Sequence, residues 1–377
     1  MKKILRNQIM NNTGKKNSIA ESPISFSLPL LFCPLLVISW IYGGLTILLT
    51  PIFGYVIITI FDFLTKENKN EDALIKGNIF DYKIILYLWP FVQMFLLFGT
   101  LTAIFFFNHL NLIESVGLML VLGMITGAVG ITFAHELMHQ KTKRERFLAD
   151  ILMGMAVYGH FRTEHILVHH RYVGTKRDAV TARFNEGFYS FFLRVIPNSF
   201  ISAWNVEKER LLIKKKSIFH LSNPFYNYFF IPLFFLMCAF LIGGVMAMCL
   251  FLLQAIIAVL HLEVVNYIEH YGLSRKKLAE NKYEPTKSFH SWNANHKMSN
   301  LLLINLQKHS DHHARPDKLY PTLNAFDENS APQLPFGYPL MVVLSLFPIF
   351  WRKIMNPKVL AWREQFYPEI YDWTTLN

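Results

Sequence analysis

The sequence predicts an all-α integral membrane protein, with six transmembrane helices and a cytosolic cap rich in histidine. Hydrophobic residues make up 53% of the 377 residues and charged residues only 17%, whereas about a quarter of a soluble domain is usually charged. Several apolar runs reach the roughly 20 residues that a membrane-spanning helix needs. Nine of the fifteen histidines stand in four short groups, at the ends of these runs or outside them.

Two of the apolar runs are about twice the length of one span. We expect the first to turn near Thr50-Pro51 and the second at Gly243-Gly244. The result is six spans in a single domain that covers residues 1–377. Their approximate bounds are 28–48, 50–64, 84–107, 113–134, 225–242 and 246–266.

The distribution of basic residues predicts the orientation. The net charge is +11, yet the short links expected outside, including the one at residues 108–111, contain no Lys or Arg, whereas the 135–224 segment contains fifteen. Positive residues collect in cytoplasmic loops of membrane proteins. We therefore expect the N-terminus and both parts of the cap, 135–224 and 267–377, on the cytoplasmic side. Topology is the first explanation of the charge, a docking face for an acidic partner is the alternative, and no nucleic-acid partner is expected.

The histidine groups have the spacing of metal ligands on helices. Positions i, i+3 and i+4 share a helix face, so His135 and His139 are able to bind one ion, and His165 shares a face with His169. His170 is turned away from them by about 100° and can reach a second ion. The groups are HELMH at 135–139, EHILVHH at 164–170, NYIEHYG at 266–272 and HSDHH at 309–313.

Their number favours two metal ions. HExxH alone is also the zinc-protease signature, with Glu136 as the general base, but such a site takes about three protein ligands. A zinc protease would leave most of the nine histidines unexplained. A transporter would place polar residues along the spans, whereas these histidines collect at one end. Imidazole suits zinc, copper and iron, and an imidazole-rich site with open positions suits iron that binds oxygen.

In order, the four groups resemble the histidine boxes of the integral-membrane non-haem di-iron family, and specifically its alkane 1-monooxygenase branch. NYIEHYG is the most specific element, because fatty-acid desaturases share the general design but not that box. Further similarity lies at Ser291-Trp292-Asn293 and at 332–335. The resemblance implies that nine histidines bind two Fe ions: His135, His139, His165, His169, His170, His270, His309, His312 and His313.

The resemblance also implies a function. The chain would hydroxylate the terminal carbon of an alkane with O2, in a bacterial inner membrane. Its electrons would come from rubredoxin and an NAD(P)H-dependent reductase, in accord with the lack of CxxC, haem-attachment and dinucleotide motifs. Alkyl-arene (xylene-type) oxidation and fatty-acid desaturation are the alternatives. The sequence departs from the family pattern at Lys318 and Pro321, and at 173–178, which bears on substrate range and partner docking.

Several polar residues are candidates for supporting the ligands. Glu263 and Asn266 share a helix face with His270, and a carboxylate inside a membrane rarely faces lipid. Glu263 either makes a buried contact between helices or helps to fix a ligand. The remaining candidates each adjoin an expected ligand in sequence: Glu136, Glu164, Glu269 and Asp311. We expect some of these to accept an imidazole N–H.

The nature of the implied substrate predicts its route. Burial of each CH2 group is worth about 0.8 kcal/mol, so a hydrocarbon partitions into the bilayer. We therefore expect an apolar cavity among the spans that ends beneath the histidines.

Overall fold

The computed structural model describes residues 20–68, 74–75, 77–280 and 282–373. The N-terminus, which the sequence predicts to be cytoplasmic, lies outside the described residues. The described chain is mostly helical, and the all-α class is confirmed. Its helices are α1 (Pro23–Tyr42), α2 (Gly44–Leu64), α3 (Ile79–Phe106), α4 (Leu112–Met138), α5 (Lys143–Met155), α6 (161–172), α7 (Phe188–Ile213), α8 (Phe225–His270), α9 (Lys297–Leu302), α10 (His309–Ala314), α11 (Tyr338–Ser345) and α12 (Pro348–Phe366). Two short strands, β1 (Lys277–Ala279) and β2 (Lys282–Tyr283), pair antiparallel.

Five described helices are long and apolar enough to cross a membrane, namely α1, α2, α3, α4 and α8. Of these, α8 has 46 residues and would extend about 69 Å at a rise of 1.5 Å per residue. Its backbone is not helical at Gly243 and Gly244, where φ is −151° and 62°. A Cβ on Gly243 would meet the ring of Phe105 at 2.6 Å. The glycine pair at the expected position therefore interrupts the helix, and glycine is required there for close packing.

The two halves of α8 lie side by side. A Cβ on Gly154 would lie 2.5 Å from Ile231 in the first half, while Gln254 in the second half donates to the carbonyl of the next residue, Met155, at 2.7 Å. Ile231 and Gln254 would be about 34 Å apart along a straight helix. Because both contact the same end of α5, the chain reverses at the glycine pair.

The turn between α1 and α2 corrects one expectation. It lies at Gly43-Gly44 and not near Thr50-Pro51, because both glycines adopt positive φ, 58° and 54°, which other residues rarely do. Pro51 lies inside α2 and is followed by a π-helical segment, Ile52–Ile57. Pro51 has no backbone N–H to donate, and the wider π turn that follows allows the helix to continue without that hydrogen bond.

A buried chain of hydrogen bonds ties four helices together. Gln93 of α3 donates to Thr126 of α4 at 2.8 Å, and Thr126 donates to Gln254 of α8 at 3.0 Å. The side-chain N–H of Gln254 donates to the carbonyl of Met155 at the end of α5. An unpaired polar group in an apolar bundle is costly, so these bonds fix the relative positions of the helices. As a result, α5 packs into the bundle and is not a peripheral loop.

Candidate metal centre

Eight of the nine box histidines converge in two groups of four, in which the facing atoms lie within 4.8 Å of one another. Site A comprises His135, His139, His165 and His312. Site B comprises His169, His270, His309 and His313. Site B is buried throughout, whereas His139 of site A is partly exposed. Helices α4, α6, α8 and α10 thus bring residues up to 178 positions apart to one end of the bundle.

The ninth histidine, His170, lies between the two sites. Its Nε2 is 3.0 Å from Nε2 of His165 and 3.2 Å from Nε2 of His312, both in site A. Its ring centroid lies 4.5 Å from that of His313 in site B. This position allows His170 to face an ion in either site.

The backbone of α6 corrects the expected division of its histidines. An ordinary α-helix would place His165 and His169 on one face and at one ion, but residues His165–His169 form a π-helical turn. The hydrogen bonds of a π turn join residues five apart, which brings His170 and not His169 beside His165. Consequently His165 joins site A and His169 joins site B. The i, i+4 expectation holds for His135 and His139 in site A and for His309 and His313 in site B, but His312, three residues after His309, joins site A.

The protonation of these histidines favours metal binding. Burial lowers the pKa of His139 to about 3, with the nearby His169 adding to the shift. Burial also lowers the pKa values of other box histidines well below the usual range, namely those of His165, His170, His309, His312 and His313. They are therefore neutral near pH 7, which is the form that binds a metal ion.

The arrangement of the ring nitrogens also fits metal ions. Nε2 of His165 in site A lies 3.0 Å from Nε2 of His139 and 3.0 Å from Nε2 of His170. Neutral imidazoles have too few protons to satisfy so many converging lone pairs. In addition, Nε2 of His135 and Nε2 of His169 are buried and have no hydrogen-bond partner among the described residues. Buried polar atoms are ordinarily paired, so the residues present fit a site that binds a cation.

Two of the four outer nitrogens of site B, those of His169 and His270, are held by the protein. Nδ1 of His169 lies 2.9 Å from Oδ2 of Asp178, and the same oxygen accepts from Thr181 at 2.7 Å. Burial raises the pKa of Asp178, but His169 and Thr181 lower it more, so that the pKa lies below its usual value. Nδ1 of His270 lies 3.3 Å from the carbonyl oxygen of His290. Such partners fix the tautomer and orientation of a ligating ring.

Glu269 reaches the inner side of site B. Its Oε2 lies 3.3 Å from Nε2 of His309, the nitrogen that is also 2.9 Å from Nε2 of His313. Its Oε1 accepts from the hydroxyl of Tyr338 at 2.9 Å. Glu269 therefore presents a carboxylate oxygen to the space between the site B histidines, where it can support a ligand or bind a cation itself.

The other expected supporting carboxylates face away from the histidines. Glu136 accepts from Gln140 and from the backbone N–H of Tyr320. Asp311 accepts from Arg315 and Lys318. These contacts brace the cap, and in the described part of the chain they leave neither carboxylate on an imidazole.

Glu263 and Asn266 form a buried pair next to the centre. Glu263 accepts from the hydroxyl of Tyr158 at 3.0 Å and from Nδ2 of Asn266 at 3.1 Å. Asn266 in turn lines the cavity beside the histidines. Glu263 thus joins α8 to the link between α5 and α6, which is the buried contact that the sequence left open; its role in fixing a ligand through Asn266 stays a prediction.

Sequence reasoning missed Asp178, Tyr338 and the carbonyl group of His290 as partners of the centre. A signal for Asp178 was present, because it is an acidic residue in the polar stretch after the second histidine group. Glu164, adjacent to His165, is wholly buried, and neither of its oxygens has a hydrogen-bond partner among the described residues. Burial raises its pKa well above the usual value, with Asp178 and Glu263 adding to the shift.

The six histidines outside the boxes join neither site. His109 lies in the link between α3 and α4, where its Nε2 is 3.0 Å from the carbonyl oxygen of Trp40. The others are held elsewhere in the described structure and comprise His160, His220, His261, His290 and His296.

Two neighbouring cavities lie between the histidines and the helix bundle. The inner cavity is lined by His135, His165 and His309, with Asn266 and Glu269. A mainly apolar cavity lies beyond it, between α1, α2, α4 and α8, with α11 at its side. Both cavities are lined by Thr132, Val265 and Leu306. An apolar cavity is therefore present among the spans, and its continuity with the histidines stays a prediction.

A polar groove of about 900 Å³ reaches the centre from another side, and His139 forms part of its wall. Two of its acids are neutralised by ion pairs at 2.6 Å: Asp150 with Arg162, and Glu207 with Arg210. The cations that remain on the groove, beside His139 in sequence, are Lys143 and Arg146, while Lys141 pairs with Asp317 at 3.5 Å. The groove is therefore basic at the point where it approaches site A.

Comparison with known proteins identifies related sequences. Residues 115–345 match the family model of fatty acid desaturases. The chain is 40% identical to alkane 1-monooxygenase 2 of Pseudomonas aeruginosa over 66% of each chain. It is 36% identical to alkane 1-monooxygenase 2 of Alcanivorax borkumensis over 83% of this chain and 82% of that protein. More distantly, it is 27% identical to the xylene/toluene monooxygenase hydroxylase component of Pseudomonas putida over 67% of each. This chain belongs to the alkane 1-monooxygenase branch of the membrane histidine-box family that the desaturase model describes.

Proposed function

We propose that this protein hydroxylates the terminal carbon of a straight-chain hydrocarbon at a two-iron centre. In the balanced reaction, R–CH3, O2, two electrons and two protons give R–CH2OH and water. One observation carries the proposal: two adjacent four-histidine sites lie at the end of an apolar cavity between apolar helices. The names of the relatives, alkane 1-monooxygenases, support the same chemistry.

The residues of the chain would divide the work at the centre. Iron, when bound, supplies oxygen binding and one-electron chemistry. Site A would hold one ion and site B the other, with His170 between them. Asp178 and the carbonyl group of His290 would keep the rings of His169 and His270 in place. Apolar residues that line the two cavities would exclude water from the centre, and this exclusion limits side reactions.

The substrate would enter from the bilayer. The outer cavity lies between α1, α2, α4 and α8, which expose large apolar side chains, and it shares lining residues with the inner cavity at His135. A hydrocarbon lying in this space would present its end to the histidines. The polar groove at His139 would then remain free for a different partner.

That partner would be an electron carrier of the rubredoxin type, itself reduced by an NAD(P)H-dependent reductase. Rubredoxins are typically acidic, and the groove carries unneutralised Lys143 and Arg146 beside site A. Opposite charges raise the rate of encounter. This arrangement implies that the groove and the histidine end face the cytoplasm, in a bacterial inner membrane.

Oxidation of the methyl group of an alkyl-arene is the second candidate, because a xylene/toluene monooxygenase component is among the relatives. Desaturation of a fatty acyl chain is the third, because the matching family model is that of desaturases. Alkyl-arene oxidation shares the oxygen-insertion chemistry and differs in the shape of the substrate. Desaturation would remove two hydrogen atoms and leave no oxygen in the product.

One experiment separates these functions. The iron-loaded protein is incubated in membranes with rubredoxin, its reductase, NADH and a mixture of straight-chain alkanes, toluene and a fatty acyl lipid. We expect terminal primary alcohols that incorporate ¹⁸O from labelled O2. The His139→Ala variant serves as the control and should yield none. Benzylic alcohol as the main product would favour the second candidate, and an unsaturated lipid without label would favour the third.

A further inference from the structure

The far end of the apolar cavity contains polar groups that a plain hydrocarbon does not need. Thr50 and Tyr55 of α2 and His261 of α8 line the cavity there. His261 precedes His270 by nine residues, which is about 13 Å along the helix. These groups thus lie well away from the histidine sites, at the end where the chain of a substrate would finish.

The hydroxyl of Thr50 has no hydrogen-bond partner in the described structure, although the residue is only 2% exposed. A threonine in a helix ordinarily donates to the carbonyl four residues before it. Here that carbonyl belongs to Thr46, and it already accepts from the hydroxyl of Ser39 at 2.8 Å. Thr50 therefore retains a free donor in an apolar setting, and such groups are rarely left unpaired.

Tyr55 and His261 leave a free acceptor in the same cavity. Nδ1 of His261 lies 2.9 Å from the carbonyl of Ile257 and must carry the proton, because a carbonyl accepts. Nε2 is then the acceptor, and the hydroxyl of Tyr55 donates to it at 2.5 Å. The oxygen of Tyr55 keeps its own lone pairs. Tyr55 lies in the π-helical segment of α2, a distortion that often occurs at functional sites.

We propose that Thr50 and Tyr55 bind an uncharged oxygen group, best a primary hydroxyl, at the far end of the hydrocarbon substrate. The ligand would accept from Thr50 and donate to Tyr55. Among the described residues that line this cavity there is no Lys or Arg, so a carboxylate would be buried without a counter-ion, at high cost. This inference rests on the proposed hydroxylation and specifies a further substrate class, the straight-chain alcohol.

The reaction balances in the same way as that of an alkane. HO–R–CH3, O2, two electrons and two protons give HO–R–CH2OH and water, with the electrons from the same carrier. The hydroxyl that is already present takes no part and serves only to hold the chain. The product is a diol with one hydroxyl at each end.

Binding to the metal-free protein tests the proposal apart from catalysis. The affinities of nonane and of its primary alcohol are measured by competition with a fluorescent lipid probe, for the wild type, Thr50→Val and Tyr55→Phe. We expect the ratio of alcohol affinity to alkane affinity to fall about three- to tenfold in each variant, the range expected for one hydrogen bond. The affinity for nonane should be unchanged in Thr50→Val, which keeps the side-chain shape.

Thr59→Val is the matched control, because Thr59 also lies on α2 but its hydroxyl bonds to the carbonyl of Tyr55. An unchanged ratio in Thr50→Val, or an equal fall in Thr59→Val, would overturn the proposal. With iron-loaded protein, the wild type should convert the alcohol to the diol and Thr50→Val should do so more slowly. Failure to hydroxylate nonane would instead contradict the proposed function, and the binding ratios would still stand.

Discussion

Sites A and B each consist of four histidines, but the residues that surround the two sites differ. Site B is buried throughout, and Asp178 and the carbonyl group of His290 hold two of its rings from outside. In site A, His139 is partly exposed on a basic groove, and no carboxylate contacts its histidines in the described structure. Partners of this kind usually raise the affinity for a metal. If the proposed function holds, we expect site B to retain an ion more firmly and site A to be the point at which electrons enter.

Removal of one ligand from each site should have the largest effect. We expect His139→Ala and His270→Ala each to lose about one metal ion per chain and to reduce turnover by more than about 100-fold, since an outer partner alone is worth about 10- to 100-fold. Metal content and alcohol formation are measured on the same preparations. His220→Ala, an exposed histidine outside both sites, is the control. Full metal content in either ligand variant would break the assignment of that site.

Substitution of Asp178, the outer partner of His169 in site B, should have the second-largest effect. Asp178→Asn removes the carboxylate that fixes His169, and we expect metal affinity or turnover to fall about 10- to 100-fold. Asp311→Asn provides the contrast, because this buried aspartate adjoins His312 but is paired with Arg315 and Lys318. It should alter stability without a selective loss of metal. Metal titration of both variants checks the difference, and equal metal affinities would show that the His169–Asp178 contact has no special role.

Glu263 should have a smaller effect, because its contact with the centre passes through Asn266. We expect Glu263→Gln to keep the fold and to lower iron occupancy or turnover about tenfold, the lower end of the range for outer partners. Glu269→Gln should exceed it, because Glu269 faces His309 directly. Iron analysis and single-turnover kinetics measure both. If Glu263→Gln has no effect on either quantity, Glu263 serves only in helix packing.

The basic groove should give the smallest effect, and one that depends on salt. Replacing Lys141, Lys143 and Arg146 by Gln should raise the KM for rubredoxin about three- to tenfold at low ionic strength. At physiological salt, where the Debye length is about 8 Å, the difference should shrink. Substituting Lys277 and Lys353, exposed lysines on β1 and α12, is the control. A salt-independent KM that is unaffected by the groove variant would exclude electrostatic docking there.

Much of the fold could be predicted from the sequence because it depends on local chemistry. Apolar runs of sufficient length predicted the long helices, and Gly243-Gly244 predicted the break in α8. The turn at Gly43-Gly44 was missed because Pro51 is the stronger sequence signal, although a π turn absorbs it. A proline thus marked an irregular helix and not a reversal of the chain.

The sequence predicted which histidines converge, but not how they are distributed between sites A and B. The i, i+4 rule grouped His135 with His139 correctly, but it placed His165 with His169, since it assumes an α-helix where the chain forms a π turn. The partners of site B come from distant segments: Tyr338 lies 69 positions from Glu269, and His290 lies 20 from His270. Spacing rules describe one helix and contain no information on such contacts.

The iron content of the wild type, compared with that of one ligand variant from each site, tests the central claim most directly. The protein is expressed with ample iron and purified, and its metals are quantified per chain for the wild type, His139→Ala and His169→Ala. Two separate histidine sites predict about two iron ions in the wild type and about one in each variant, with the remaining ion lost more readily to a chelator from His169→Ala than from His139→Ala. A single zinc ion in the wild type, or one iron ion that either substitution removes completely, would contradict the account.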